Sequence, residues 1–343
     1  METALSLQDK WTAVRECAVT QGTTVPWEVN GYYEDFEVSQ GPSGGIFDMS
    51  FWRAVQVKGA DAFDFLQRLS TVNLKELGES HVKWGGFLTA KAGWVGLGLF
   101  QRFSSDDYHL WFPREVAASV LAHLEKFHFA EKLTLQYLDS RVMLATWRAP
   151  ETSLNSLGND FDFSPMKVNV YSEGARFWRD DCRAELVWFT IERSRSGDWY
   201  EWARTVDLRL MGVRLFDYFR VKAAVPQLGR EFSENALAME ANFDRSISRD
   251  KGCYPGQEVV ERVATYGRVN QKLIPVEFLS DRESIEVPYG LSSEGIEVGK
   301  IVSVAQSPDR PMHWLGLALI RKTHWEAAEL ISDLGPITIR NAQ

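Results

Sequence analysis

Cysteine is scarce in this chain. Cys17, Cys182 and Cys253 are the only three in 343 residues. They are odd in number and far apart, which excludes a disulfide framework and a zinc site of paired ligands and fits a reducing, cytoplasmic setting. Long apolar runs are also missing: nothing approaches the roughly 20 residues that span a bilayer, so no membrane partner is expected. The N-terminus, METALSLQDKWTAVRE, has neither the basic start nor the apolar stretch of a secretory signal, and it is too acidic for a transit peptide. Positive charge is in deficit, with 38 Lys and Arg against 47 Asp and Glu and a net charge of −9. That balance disfavours direct bulk binding to nucleic acid. No Gly-rich phosphate loop joins a strand to a helix, and no GxSxG elbow is present. The look-alikes GGIF at Gly44–Phe47 and GLGLF at Gly96–Phe100 read as close packing. His81, His109, His123, His128, His313 and His324 are scattered, so no metal site is expected.

What is present is size and an ordinary globular composition, 45% hydrophobic and 25% charged. A length of this order suggests roughly two or three domains. Thirteen tryptophans can serve as core, as pocket lining or as an exposed partner surface, core being the plain expectation.

Along the chain, residues 1–45 read as an extension that starts with a short helix and ends in the turn signal GPSGG, with regular structure resuming at Ile46. Val55 and Val57 alternate as a strand. Ala62, Phe65, Leu66 and Leu69 share a helical face. Trp94–Phe103 and the alternating Tyr108, Leu110 and Phe112 read as a hairpin. Val116, Val120, Leu124 and Phe127 stripe a second helix, and Leu133, Leu135 and Tyr137 alternate in a further strand. The order over 46–140 is β-α-β-β-α-β, a ferredoxin-like unit. Residues 141–268 read as a second α+β domain: strands at Val142–Trp147 and Glu185–Ile191, and a helix begun by Asp198 and Glu201 with Trp199, Trp202, Val206 and Leu210 on its face. Another helix carries Leu215, Phe216, Phe219 and Ala223 and is closed by Pro226. From 269 to 343, short strands at Leu273–Phe278, Val298–Val304 and Trp314–Ile320 separated by turn residues predict a small β-barrel.

The densest cluster of special residues is Lys251–Glu258, KGCYPGQE. Two glycines and a proline give this loop a defined shape and hold Cys253 in a fixed place. Lys251 and the N-terminus of a helix beginning near Gln257 are the groups that can favour the thiolate. A small buried cysteine in a tight loop is the equally weighted alternative.

KGCYPGQEVVERV resembles the signature of YgfZ-type folate-binding proteins, relatives of the aminomethyltransferase, or T-protein, of the glycine cleavage system. Phe219–Pro226 is similar to the arginine-bearing helix that ends in the family's "AGIP"-like turn. Tyr266, Gly267, Arg268 and Val269 match the segment after the signature. GIFDMSFWRAVQVKGADAFDFLQRLST and VGKIVSV give weaker matches, so the likeness runs over about residues 46–321. It implies an α+β fold, with ferredoxin-like domains and a C-terminal β-barrel around a central cavity for tetrahydrofolate or a related folate. It also implies an auxiliary role in assembling or repairing iron-sulfur enzymes, with any effect on transfer-RNA modification indirect. The expected partners are a folate-like small molecule and iron-sulfur enzymes or cluster-assembly proteins. On this basis Cys253 and Lys251 are the reactive pair, and Lys222, Arg220, Tyr254, Gly256, Gln257, Glu258, Arg262 and Trp84 surround the ligand.

Two departures bear on mechanism. Where the aminomethyltransferase carries a catalytic aspartate, this chain reads Ala92, Gly93, Trp94, Val95, Gly96, Leu97, Gly98, which argues against turnover. Where folate-using relatives carry a pterin-binding glutamate stands Lys222, and an ammonium only donates. The alternatives are a folate-dependent aminomethyltransferase or demethylase, and a non-catalytic scaffold that docks partners on a tryptophan-rich surface.

Overall fold

The computed structural model describes residues 16–20, 23–158, 161–171, 174–233, 236–267, 269–293, 295–327 and 329–340. The expected N-terminal helix falls outside them, as does Arg268. The stretch read as an extension is structured before Ile46. Strands β1 (Glu16–Thr20) and β2 (Thr23–Glu28) pair antiparallel, and helix α1 (Tyr32–Gln40) follows. The reason is one buried carboxylate. Asp35 accepts the amides of Val29 at 3.0 Å, Asn30 at 3.1 Å and Gly212 at 3.0 Å, which pins the turn in place where sequence periodicity gives no signal.

The chain divides into two compact units. The first holds residues up to Gln67, Val72–Gly85 and Gly98–Phe216, and the second holds Arg68–Thr71, Gly86–Leu97 and the chain from Asp217 onwards. β3 (Gly45–Asp48) precedes β4 (Trp52–Lys58), α2 (Ala62–Leu69), β5 (Val82–Leu88), β6 (Trp94–Ser104), β7 (Asp107–Pro113), α3 (Arg114–Phe127) and β8 (Thr134–Tyr137), all in the first unit except the end of α2 from Arg68, the end of β5 from Gly86 and the start of β6 up to Leu97. The sheet order β5-β6-β7-β4-β8 is the ferredoxin-like arrangement with β5 added at an edge. Alternation explains the layering: Val55 and Val57 of β4 and Phe65 and Leu66 of α2 are fully buried, each large side chain contributing roughly 2 kcal/mol. Phe127, expected on the buried stripe of α3, is 39% exposed, because the helix ends there.

The second sheet takes β9 (Arg141–Trp147), β10 (Asn169–Val170), β11 (Arg176–Arg179), β12 (Leu186–Glu192) and β13 (Arg209–Met211) beside β3, in the order β10-β11-β12-β9-β3-β13. Between them lie the short α4 (Glu151–Asn155) and α5 (Ser196–Thr205). Leu210 was expected on the face of that helix. It lies instead in β13, parallel to β3, after a turn in which Asp207 takes a positive φ of 59°. Asp198 makes no cap and instead pairs with Arg195 at 2.9 Å.

The second unit takes α6 (Val213–Lys222) from Asp217 onwards and continues through α7 (Gln257–Tyr266) into a closed barrel. The barrel comprises β14 (Gln271–Leu279), β15 (Tyr289–Ser293), β16 (Ile296–Gln306), β17 (His313–Arg321), β18 (Glu329–Ser332) and β19 (Gly335–Ile339), and closes in the order β14-β17-β16-β15-β18-β19. Its interior is apolar, with Val276, Ile301, Ala318, Ile320, Leu330 and Ile337 fully buried. No helix among the described residues is long and apolar enough to cross a membrane.

None of the described tryptophans is exposed. Trp94, Trp111, Trp178 and Trp188 are fully buried, so a tryptophan-rich docking surface finds no exposed ring among the described residues, and the described indoles serve chiefly as core.

Candidate functional site

The KGCYPGQE loop is moored at both ends. At its start the Lys251 ammonium, itself 7% exposed, donates to the carbonyl of Ser70 at 2.5 Å and lies 5.3 Å from the centre of the Tyr254 ring. Burial pulls the Lys251 amine down from its ordinary value to about 8. The segment leading in is held by the adjacent Thr71, whose hydroxyl donates to the Ser246 carbonyl at 2.6 Å and accepts from the Gly86 amide at 2.9 Å. The Thr71 carbonyl accepts from Ser248 at 2.9 Å. Sequence reasoning did not single out Ser70 and Thr71. They sit in the string quoted for its weaker likeness, and only a contact across 181 positions reveals their part.

At the other end, Gly256 has φ +81°, and a Cβ there would lie 2.6 Å from the Thr89 carbonyl and 2.9 Å from Ala92 Cα. The glycine is required by both conformation and space. It is the N-cap of α7. The β5–β6 turn that it touches also takes a hydrogen bond from the Ala238 amide to the Ala92 carbonyl at 2.8 Å.

Between these moorings Cys253 is exposed. The two sources of support expected for its thiolate are directed elsewhere: Lys251 to Ser70, and the Gln257 amide to the Tyr254 carbonyl at 3.2 Å. Tyr254 is buried, and its hydroxyl has no hydrogen-bond partner among the described residues. Burial pushes that phenol up to about 12, so at neutral pH it is a proton donor in want of an acceptor. Gln257 is half-buried, while Glu258 and Arg262 face solvent on α7.

Arg220 belongs to a separate network. Its guanidinium, 3% exposed, donates to Asp217 at 2.8 Å and to the Val225 carbonyl at 2.9 Å, and pairs with Glu231 at 2.8 Å. Glu231 also accepts from the Gln227 amide at 2.7 Å and from the Ser303 hydroxyl. A bulge between Ile301 and Ser303 in β16 aims that hydroxyl inward. Arg220 therefore ties the end of α6 to the barrel. The paired cations hold Asp217 down at about 2 against its burial. Lys222 is exposed, its ammonium 5.7 Å from the Tyr218 ring. Trp84, in the first unit, is buried edge-on to Trp52 at 6.4 Å. Lys251, Tyr254 and Gly256 thus share one moored loop, and Arg220 and Lys222 stand on a different element.

Asp180, Asp181 and Cys182 bring three ligand-type atoms within 4.8 Å. Asp180 is already the acceptor for the amides of Cys182 and Arg183, the Arg183 guanidinium and the Trp188 indole. The cluster is a braced turn.

With this geometry in place, comparison with known proteins is informative. The family described as GCVT N-terminal domain matches residues 34–170. The crystal structure of the glycine cleavage system aminomethyltransferase T from Bartonella henselae superposes with a TM-score of 0.86 at 17% identity, covering 98% of this chain and 95% of that one. The architecture is therefore the aminomethyltransferase fold. Among sequence relatives, a chloroplastic protein of Arabidopsis thaliana named as a transferase is 24% identical over 81% of this chain, and the match spans 65% of that protein's length. An aminomethyltransferase of Thermoanaerobacter sp. (strain X514) is 23% identical over 87% of this chain and 83% of its own. The tRNA-modifying protein YgfZ of Aliivibrio fischeri (strain MJ11) is 24% identical over 67% of this chain and 70% of its own. The family match over residues 34–170, the shared fold and these relatives together support membership of the GcvT-like superfamily.

Proposed function

We propose that this protein is a YgfZ-type auxiliary factor that binds a folate-like ligand and supports iron-sulfur enzymes through the Cys253 thiol, with transfer-RNA modification affected indirectly. One observation carries the reading: the loop that presents an exposed Cys253 packs through Gly256 on the β5–β6 turn, and that turn holds no carboxylate. Its residues from Gly86 to Leu97 are GFLTAKAGWVGL. A general acid or base for aminomethyl transfer must lie within hydrogen-bond reach of the reacting atoms, and here the turn offers its backbone, the exposed Lys91 and the Thr89 hydroxyl, which already accepts from the Gly93 amide at 3.1 Å.

Among the residues assigned to the folate, the fit is uneven. Arg220 is committed to protein acceptors, so its part is to position the end of α6. Lys222 offers only donors. The Tyr254 hydroxyl is the polar group that gains most from a ligand acceptor, because leaving it buried and unpaired costs about 1–3 kcal/mol. Glu258, in the first turn of α7, offers an acceptor for amino and ring N–H groups. A tetrahydrofolate, when bound, supplies a one-carbon carrier; this chain's own residues orient it.

A second reading, a folate-dependent aminomethyltransferase or demethylase, is favoured by the relatives named as aminomethyltransferases. Calorimetry with tetrahydrofolate and a turnover assay with an aminomethyl donor separate the two. Binding that weakens in Tyr254→Phe, without turnover, is the expected result. Turnover by the purified protein overturns the auxiliary reading, and failure to bind removes the folate from it.

A further inference from the structure

Away from the KGCYPGQE loop, the first unit contains a cavity of about 150 Å³ on the α5 side of the six-stranded sheet. Three aromatic rings wall it. Trp199 meets Tyr171 edge-on at 84° and 5.9 Å, and Trp202 edge-on at 72° and 5.5 Å, so the three ring planes stand at steep angles to one another. The Trp202 indole N–H donates to the Ser156 hydroxyl at 3.1 Å, which fixes that ring.

The rim is charged. Glu192 spends Oε1 on Arg141 at 2.8 Å, and Asp198 spends Oδ2 on Arg195 at 2.9 Å, so each carboxylate has a second oxygen to offer. Both are accessible, with side chains 37% and 66% exposed. An aromatic box with carboxylates at its mouth is complementary to an organic cation: the ring faces are negative, and the carboxylates add charge without filling the space. The volume is that of roughly a benzene-sized guest, which a trimethylammonium group matches.

We propose that this pocket binds a methylated ammonium group, carried either by a free small molecule or by a lysine side chain of a protein partner. Arg195, 38% exposed, also lines the cavity, and its pair with Asp198 is the contact that an incoming cation exchanges. Exposed pairs of this kind are weak, typically below about 1 kcal/mol, so the Asp198 pair itself costs little to exchange. The exchange also gives the site a distinctive sign. Removing Arg195 should strengthen the binding of a cation, whereas a pocket for an anion would lose affinity.

The test is calorimetric titration of the full chain with choline, with its neutral isostere 3,3-dimethylbutan-1-ol, with acetate, and with a trimethyllysine peptide. Choline or the peptide should bind saturably, the neutral alcohol roughly fivefold or more weakly. Asp198→Asn should weaken the cation roughly fivefold, and Arg195→Gln should tighten it by a similar factor. Trp202→Leu, checked for an unchanged thermal melt, should abolish it. Choline alone binding identifies a free small molecule, and the peptide alone a protein lysine. The proposal is overturned if neither binds, if the alcohol binds as tightly as choline, or if Arg195→Gln weakens the cation while acetate binds better than choline.

Discussion

The Lys251 ammonium donates to the carbonyl of Ser70 at 2.5 Å, fastening the KGCYPGQE loop to the end of α2. Lys251→Met removes that bond, and losing a hydrogen bond from a charged donor costs about 1.5–3 kcal/mol, measurable by urea denaturation. The pH dependence has a definite sign. The folded amine titrates at about 8 against an ordinary 10.5, so between these values the unfolded chain binds more protons and stability rises with pH. Wild type should gain stability as pH increases from about 8 towards 10.5, and Lys251→Met should lose that component of the rise.

Gly256 and Gly252 form a matched pair. Gly256→Ala places a methyl 2.6 Å from the Thr89 carbonyl at a φ of +81°, and should cost about 2 kcal/mol or more through strain. An added Cβ at Gly252 meets nothing within 4 Å and its φ is not in the left-handed range. Gly252→Ala should therefore shift stability by less than about 0.5 kcal/mol. Equal losses in thermal melts of the two variants would contradict the mooring.

Arg220 is predicted to be structural. Arg220→Met leaves Glu231 buried without its cation, and breaking a buried pair in this way costs about 3–5 kcal/mol. Asp217 supplies an acid limb. Its carboxyl is held at about 2 rather than 3.8, so its stabilisation is complete above the ordinary value and is lost as pH falls from about 4 to about 2. Asp217→Asn should flatten that limb of an acid-denaturation curve.

The parts of this fold that were legible from sequence are those with strong periodicity. Phe65 and Leu66 mark the buried face of α2, alternating apolar residues mark the barrel strands, and Gln257 opens α7 where the glycine-rich loop ends. Strand β5 was missed because its sequence, VKWGGFL, carries two glycines. Gly86 is there for close approach, since a Cβ would sit 1.9 Å from the Gly96 carbonyl of the neighbouring strand. The reading of Arg220 as a ligand contact followed a family motif. Its acceptor Asp217 lies one helical turn away and is visible in the sequence, but Glu231 reaches it only through the fold. The mooring of Lys251 on Ser70 depends on a contact 181 residues apart, which no local pattern encodes.

The central claim is that the exposed Cys253 thiol, held on this moored loop, does the work. The most direct measurement is growth and iron-sulfur enzyme activity in a strain lacking the gene, complemented with wild type or with Cys253→Ser at matched protein levels. The account predicts that wild type restores both and that Cys253→Ser restores neither while keeping the wild-type melting temperature. Full complementation by Cys253→Ser would contradict it.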